Sequence, residues 1–330
     1  MRRTAVPLHV VPARNRAATS EFARDFLAGL AVRPRRIAPK YFYDAAGSAL
    51  FDRICELPEY YPTRTELRIL AERAPEIAAQ IGPRAEIVEF GAGSLTKVRL
   101  LFDAFQAGDA PSRYLPVDIS GEHLEVAAQR LRADYPRLAI QPVVADYSKA
   151  MSLPAPGDGA GQRVGFFPGS TIGNFDPDDA LAFLKSTARL LRGGSMLIGV
   201  DLIKDPARLH AAYNDAEGVT AAFNLNLLER ANRELGANFD LDAFAHYAFY
   251  NTQSRRMEMN LVARRTQNVE VCGEPFTLAQ GDAIHTESSY KYTVDDFRWL
   301  AVRAGYRAGP VWIDDERLFS VHWLYAPTDS

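Results

Sequence analysis

Short apolar stretches alternate with amphipathic stretches through the middle of the chain, and this alternation predicts parallel strands joined by helices. Continuous apolar runs of about four to eight residues are typical of strands that are covered on both faces. The predicted strands span residues 86–90, 114–118, 140–144, 164–167 and 196–200. We therefore expect an α/β fold with a doubly wound, Rossmann-like sheet.

The helices between these strands begin and end at recognisable residues. Ser120 is a candidate N-cap for a helix that ends before Pro136. Asp176 precedes Pro177, a residue favoured in the first helical turn, and that helix ends at the glycine pair 193–194. These boundaries support β-α-β units over this part of the chain.

The alternation stops after Asp201. A helix predicted over 219–235 is followed by two strand-like segments, 246–251 and 257–264, which predict a hairpin. The end of the chain returns to the earlier pattern, with a helix over 294–303 and a strand over 319–325. We therefore divide the chain into a loose N-terminal tail (1–19), the helical part of a second, smaller substrate-binding domain (20–74), a cofactor-binding core (75–203), an inserted part of the substrate-binding domain (204–290) and a C-terminal return to the core (291–330).

Composition and charge narrow the classes of function. A net charge of −3 over 330 residues leaves no basic excess to neutralise a phosphate backbone, which argues against a nucleic-acid partner. No apolar run is long enough to cross a bilayer, and no signal-peptide core follows the N-terminus. Cys55 and Cys272 have neither metal-ligand nor disulfide-framework spacing, so we expect no metal and a reducing, cytoplasmic location. The expected protein is a monomer that acts on a small molecule, without a membrane partner.

Candidate cofactor-binding residues follow three successive strands. The first strand ends in Gly91-Ala92-Gly93, where the backbone must turn tightly and let a ligand approach. Asp118 ends the second strand, where a carboxylate can accept both hydrogen bonds of a ribose diol. Asp146 and Tyr147 follow the third strand, where they can meet an adenine amino group and the face of its ring. Together these positions predict a nucleoside-binding site.

Two cofactors fit this pattern, S-adenosylmethionine and NAD. The glycine-rich pattern that binds a dinucleotide is broken, because Thr96 stands at the third glycine position. S-adenosylmethionine has no pyrophosphate to hold, so we favour it and keep NAD as the alternative. Lys97, in the first turn of the next helix, can meet the methionine carboxylate; a solvated helix lysine is the other interpretation.

The fourth strand leads into the segment 169–175, which contains a candidate substrate-binding residue. The side-chain amide of Asn174 offers both a donor and an acceptor, which suits the ammonium or the carboxylate of an amino acid. The alternative is a turn residue that only precedes the helix starting after Asp176.

Four stretches carry a resemblance to a known family: 41–48 (YFYDAAGS), 57–64 (LPEYYPTR), 169–175 (GSTIGNF) and 213–224 (YNDAEGVTAAFN). Together they resemble the L-histidine Nα-methyltransferases of ergothioneine biosynthesis, and the similarity runs from about residue 20 to the C-terminus. The resemblance implies a Rossmann-like, S-adenosylmethionine-dependent methyltransferase core with a smaller substrate-binding domain.

The resemblance also implies roles for individual residues. Tyr60, Asn174 and Tyr213 would hold the α-amino and carboxylate groups of L-histidine, while Glu287 and Ser289 would hold the imidazole. A carboxylate beside a hydroxyl can read both ring nitrogens, and these bonds strengthen in a dry pocket; a solvated loop acid is the alternative for Glu287. The implied cofactor-binding residues are Tyr43, Gly91, Lys97, Asp118, Asp146 and Tyr147.

Tyr43 is also implied to lie near the reacting amine, so it joins Asn174 as a catalytic candidate. Met259 would pack on the imidazole or belong to the core. The sequence departs from the expected pattern at two positions, since Ser94 stands where many methyltransferases have glycine and Tyr147 stands where phenylalanine is expected.

The reaction implied by the resemblance is three successive methylations of the histidine α-amine, which give hercynine. The neutral amine would attack the sulfonium methyl group directly, with orientation and water exclusion as the main sources of catalysis. Three other functions stay open at this point: N-methylation of another amino acid or small amine, cofactor binding without catalysis, and NAD-dependent dehydrogenation.

Overall fold

The structure is a computed structural model and describes residues 20–93, 95–106 and 109–328. The predicted tail and Ser94 lie outside this part of the chain. Its α-helices are α1 (Glu21–Ala31), α2 (Ala45–Glu56), α3 (Tyr61–Glu72), α4 (Ala74–Ile81), α5 (Lys97–Asp103), α6 (Gly121–Asp134), α7 (Pro177–Leu190), α8 (Pro206–Tyr213), α9 (Val219–Leu235) and α10 (Val294–Arg303). Its strands are β1 (Arg35–Arg36), β2 (Glu86–Phe90), β3 (Arg113–Asp118), β4 (Ala139–Ile140), β5 (Val143–Val144), β6 (Arg163–Phe167), β7 (Ser195–Asp201), β8 (Phe244–Asn251), β9 (Arg256–Ala263), β10 (Gln267–Val271), β11 (Glu274–Leu278), β12 (Ala283–Tyr290), β13 (Arg307–Ile313) and β14 (Phe319–Tyr325).

The larger sheet has the strand order β13-β14-β7-β6-β2-β3-β4, and β5 pairs with β3. Strands β7, β6, β2 and β3 are parallel, whereas β14 runs antiparallel to β7. The carboxyl ends of the four parallel strands therefore meet at one edge of the sheet, where ligands bind in folds of this kind. The α/β, Rossmann-like prediction is confirmed.

Both faces of this sheet are buried. Ile87 belongs to one hydrophobic cluster and Val88 to the other, and Leu197 and Ile198 divide in the same way. Because successive side chains of a strand point to opposite faces, apolar residues are favoured at consecutive positions of these strands. This explains the continuous apolar runs in the sequence.

Two predicted elements differ from the structure. The predicted strand over 140–144 is two short pairs, β4 and β5, because Pro142 between them lacks a backbone donor. The side chain of Ser120 makes no capping hydrogen bond at the start of α6, although the helix does begin after this residue.

The described chain divides into two compact units. The first unit contains the described residues up to Glu59 together with His210–Tyr250 and Met257–Glu287; the second contains Tyr60–Leu209, Asn251–Arg256 and the residues from Ser288 onward. We placed residues 60–74 with the substrate-binding domain, whereas the structure places them in the second unit. The physical reason is that Ile69 and Leu70 of α3 belong to the same buried cluster as Trp323.

The sheet of the first unit has the order β1-β12-β9-β8, in which the two predicted hairpin strands are neighbours. Helix α9 has the predicted bounds, and its Phe223 stacks on Phe42 at 4.5 Å between ring centroids. The sequence analysis did not predict α8 or the antiparallel pair of β10 and β11.

Residues 20–93, 95–106 and 109–328 contain no helix that is both long and apolar enough to span a membrane.

Candidate active site

The glycine turn after β2 places backbone rather than side chains at the edge of the sheet. Gly91 has a φ of +69°, a conformation that favours glycine, and its N–H donates to the carbonyl of Val117 at 2.9 Å. A Cβ on Gly91 would lie 3.3 Å from the ring of Tyr147. Glycine therefore meets two needs here, the positive φ and the close approach of an aromatic ring.

Asp118 is fixed at the end of β3 by the turn beside it. Its Oδ2 accepts from the N–H of Gly93 at 3.3 Å, and its Oδ1 accepts from the N–H of Ser120 at 3.0 Å. The carboxylate is half-buried. It is thus held at the sheet edge by two backbone donors and keeps lone pairs for further donors, as a ribose diol requires.

Asp146 and Tyr147 complete this group in the second unit. Asp146 accepts from the N–H of Ser148 at 3.0 Å and lies 3.4 Å from the ammonium of Lys149. Burial raises the pKa of Tyr147, and the charges of Asp118 and Asp146 raise it further, so its hydroxyl keeps its proton. The structure therefore brings together four predicted cofactor-binding residues: Gly91, Asp118, Asp146 and Tyr147.

Lys97 is the fifth predicted cofactor-binding residue in this unit. Its Nζ donates to Oε2 of Glu66 at 2.6 Å, and only 20% of the lysine side chain is exposed. Glu66, which is buried on α3, also accepts from the N–H of Gly169 at 2.9 Å. The interpretation of Lys97 as a solvated helix lysine is therefore wrong. The buried carboxylate of Glu66 positions the Lys97 ammonium beside the loop that follows β6.

Glu66 was missed by the sequence analysis, although it lies just beyond the stretch 57–64. A Cβ on Gly199 in β7 would lie 2.0 Å from Glu66 Oε1, so glycine at this position makes room for the carboxylate. Glu89 in β2 is a second buried acid, and it accepts a hydrogen bond from the hydroxyl of Tyr114. Burial raises the pKa of Glu89 to about 8, so this carboxyl is mostly neutral at pH 7.

Asp201, the last residue of β7, is the centre of a buried polar cluster that the sequence analysis did not find. Its carboxylate lies 2.5 Å from Nζ of Lys204 and 2.9 Å from Nζ of Lys291, and it accepts from the hydroxyl of Tyr61 at 2.7 Å. Burial by itself would raise the pKa of Asp201, but the charges and hydrogen bonds of the two lysines outweigh burial and lower it. Burial lowers the pKa of Lys204 to about 8.

This Asp201 cluster positions three segments that carry predicted substrate-binding residues. Tyr61 directly follows Tyr60 at the start of α3. The N–H of Asp201 donates to Oγ of Ser170 at 2.8 Å, and Ser170 begins the loop that contains Asn174. Nζ of Lys291 donates to Oγ of Ser289 at 2.7 Å. Tyr60 and Ser289 are therefore connected to the Asp201 carboxylate through Tyr61 and Lys291. The loop that contains Asn174 is connected to the backbone N–H of the same residue through Ser170.

A close backbone contact brings two of these segments together. A Cβ on Gly173 would lie 2.7 Å from the carbonyl oxygen of Tyr290 and 3.3 Å from its nitrogen. Gly173 precedes Asn174, and Tyr290 follows Ser289. The absence of a side chain at Gly173 therefore lets the Asn174 loop pack directly on the end of β12.

A second buried network organises the first unit. His246 Nε2 lies 2.9 Å from the carbonyl of Tyr213, and its Nδ1 lies 2.9 Å from the side-chain nitrogen of Asn224. Because the amide nitrogen is a donor, this geometry assigns the ring proton to Nε2. The hydroxyl of Thr286 donates to Oδ1 of Asn224 at 2.8 Å, and Thr286 directly precedes Glu287. Asn224 thus connects the backbone of Tyr213 with strand β12.

The remaining predicted residues of the first unit are Tyr43, Glu287 and Met259, and all three are at least partly covered by neighbouring residues. The Tyr43 ring makes edge contacts with Phe51 and Phe223 at 5.6 and 5.8 Å, and 37% of the residue is exposed. Glu287 is buried in β12, so the interpretation as a solvated loop acid is wrong. The side chain of Met259 is also buried.

Strand geometry gives Glu287 and Ser289 a common face, because they are two residues apart in β12. Their exposed fractions are only 8% and 4%. A carboxylate can accept a hydrogen bond, and a hydroxyl can donate one.

Among the residues that the structure describes, no group of three or more His, Cys, Asp or Glu side chains is arranged to hold a metal ion.

A family profile described as histidine-specific methyltransferase, SAM-dependent, matches residues 22–326. The chain is 42% identical to a histidine N-alpha-methyltransferase of Mycolicibacterium smegmatis over 302 residues, which cover 90% of this chain and 92% of that protein. It is 42% identical to a protein of the same description from Mycobacterium tuberculosis, over 82% of this chain and 84% of that one. It is 34% identical to ergothioneine biosynthesis protein 1 of Neurospora crassa, over 84% of this chain and 32% of that protein.

Proposed function

Since the chain belongs to the family of histidine-specific, S-adenosylmethionine-dependent methyltransferases, we propose that it methylates the α-amino group of L-histidine in ergothioneine biosynthesis. Three successive methyl transfers give the betaine hercynine. The similarity to the mycobacterial histidine N-alpha-methyltransferases extends over most of both chains, which supports a shared activity.

The observation that carries the proposal is the Asp201 cluster. It ties Tyr60, Asn174 and Ser289, three residues expected to bind histidine, to the end of β7. The same sheet edge carries the group formed by Gly91 and Asp118. Contacts from these substrate-binding candidates reach the end of β7, and the cofactor-binding candidates lie at the ends of neighbouring strands. This supports a reaction between two molecules bound at one edge of the sheet.

The cofactor-binding residues fit S-adenosylmethionine, which supplies an electrophilic methyl group on its sulfonium. Asp118 would accept hydrogen bonds from the ribose hydroxyls, and Asp146 with Tyr147 would contact the adenine. The Gly91 turn would leave space for the nucleoside, and Tyr43 is the residue proposed to act near the transferred methyl group. Lys97, held by Glu66, would bind the methionine carboxylate through one of its other two N–H donors.

The amino-acid end of the substrate is held by Tyr60, Asn174 and Tyr213, and the imidazole by Glu287 and Ser289. The α-ammonium must first pass its proton to water by way of the tyrosine hydroxyls, since an ammonium has no lone pair with which to attack. Tyrosine hydroxyls and the Asn174 amide orient the neutral amine through hydrogen bonds. The methyl transfer requires no strong base. Catalysis then comes from orientation and from the exclusion of water.

Location and assembly are further parts of the proposal. Neither Cys55 nor Cys272 forms a disulfide in the described part of the chain, and we propose a reducing compartment such as the cytoplasm. We propose a monomer, and light scattering of the purified protein measures this directly.

The test of the proposed function is mass spectrometry of L-histidine incubated with the protein and S-adenosylmethionine, with the other amino acids in parallel. Reactions without the cofactor and with the Asn174→Ala variant are the controls. We expect three successive methyl additions to the α-nitrogen of histidine. Product from another amine but none from histidine would replace the substrate, whereas cofactor binding without any product would refute catalysis.

A further inference from the structure

Lys291 is a buried lysine that has no role in the reaction as proposed above. It follows the end of β12, and only 1% of its side chain is exposed. Its Nζ lies 2.9 Å from Asp201 Oδ2 and donates to Ser289 Oγ at 2.7 Å. The lysine therefore connects the Asp201 carboxylate to a serine expected to bind the imidazole.

The chemistry of this contact fixes the direction of the hydroxyl. An ammonium group only donates, so Ser289 Oγ must accept in its bond with Lys291. The hydroxyl proton then points away from the positive charge and is available to another acceptor. Without the lysine, the hydroxyl rotates freely and can accept as readily as it donates.

We propose that Lys291 is a positioning residue which holds the Ser289 hydroxyl as a donor to the unprotonated ring nitrogen of the substrate. This inference rests on the proposed histidine methylation. Glu287 accepts the N–H of the other ring nitrogen, so the pair selects a ring with one donor and one acceptor. A site built to hydrogen-bond a ring nitrogen rejects analogues that lack it, because its own polar group is left unpaired.

Removal of Lys291 is compatible with a folded protein, because the Asp201 cluster contains a second lysine. Lys204 lies 2.5 Å from Asp201 and remains as its partner in the Lys291→Met variant. The buried carboxylate therefore keeps one counter-charge. Lys204→Met is the matched control, since it removes the other lysine, which contacts Asp201 and Tyr61.

The experiment compares steady-state methylation of L-histidine with that of β-(2-thienyl)-L-alanine, whose ring has a similar size and no nitrogen. For Lys291→Met we expect the KM for histidine to rise about tenfold, the equivalent of one hydrogen bond, with little change in kcat. The ratio of kcat/KM for the two substrates should fall by the same factor. Lys291→Arg, which restores a charged donor, should recover the ratio, and Lys204→Met should keep it.

A double-mutant cycle separates positioning from a general structural effect. If Lys291 acts through Ser289, Lys291→Met should change the ratio no further in a Ser289→Ala background. Two results would overturn the inference. One is that the two substitutions change the ratio independently, so that their factors multiply in the double variant; the other is an unchanged ratio in the Lys291→Met single variant. If Lys291→Met does not fold, Lys291→Gln takes its place in both comparisons.

Histidine methylation by the wild-type protein distinguishes a failure of this inference from a failure of the proposed function. No methylated histidine from the wild type would refute the proposed function, and the inference with it. Normal histidine methylation by the wild type, combined with unchanged ring selectivity in the Lys291 variant, would refute the inference alone.

Discussion

Replacing Asp201 with asparagine removes the carboxylate charge at the centre of the Asp201 cluster while it keeps the shape of the side chain. Lys204 and Lys291 lie 2.5 and 2.9 Å from this carboxylate, and at most 5% of any of the three side chains is exposed. The variant therefore removes the carboxylate with which both buried lysines are paired, and water cannot readily solvate them in its place.

The size of the effect follows from this burial. Loss of one partner from a buried ion pair costs about 3–5 kcal/mol, a large part of the roughly 5–15 kcal/mol that stabilises a native protein. A domain of about 150–250 residues shifts its melting temperature by about 2–4 °C per kcal/mol. We therefore expect Asp201→Asn to lower the melting temperature of the second unit by about 6–20 °C.

Tryptophan fluorescence is suited to this measurement, because Trp299, Trp312 and Trp323 are the three tryptophans of the sequence and all belong to the second unit. Glu316→Gln is the matched control. Its ion pair with Arg208 is equally short at 2.8 Å, but the side chains are 43% and 56% exposed, so the change should cost less than about 1 kcal/mol. A loss for Asp201→Asn that is no larger than the control would refute the argument from buried charge.

Three further predictions concern the cofactor, the substrate and pH. Asp118→Ala should weaken S-adenosylmethionine binding by about 1–3 kcal/mol in calorimetry, since a charged acceptor is lost; unchanged affinity would remove Asp118 from the site. Asn174→Ala should impair histidine methylation while cofactor affinity stays within about twofold; a collapse of that affinity would contradict its place on the substrate side. Burial lowers the pKa of His322 to about 3, so from about pH 6.5 down to pH 3 the unfolded chain binds a proton that the folded chain does not. Relative to His322→Gln, the wild type should therefore lose about 2 kcal/mol of stability between pH 7 and pH 5 in urea unfolding; a difference that does not vary with pH would count against this assignment.

The sequence by itself determined the elements of the core and the cofactor-binding edge. Helices α9 and α10 and strand β14 have the predicted bounds, because caps and apolar runs are local signals. The location of Gly91, Asp118 and Asp146 could be predicted because parallel strands place their carboxyl ends at one edge; their binding of the cofactor stays a prediction. The expected substrate-binding residues came from family resemblance, since no periodicity identifies a tyrosine or an asparagine as a ligand.

Only the tertiary structure decided how these residues are held. Tyr61, Asp201 and Lys291 lie far apart in the chain, and each alone is an ordinary residue in a helix, at a strand end or after a strand. Glu66 and Lys97 also pair across different elements, and the fit depends on the missing side chain of Gly199. Charges this deeply buried are stable only when an opposite charge lies within hydrogen-bond distance. That distance is set by the strand order and by helix packing, which no local pattern in the sequence specifies.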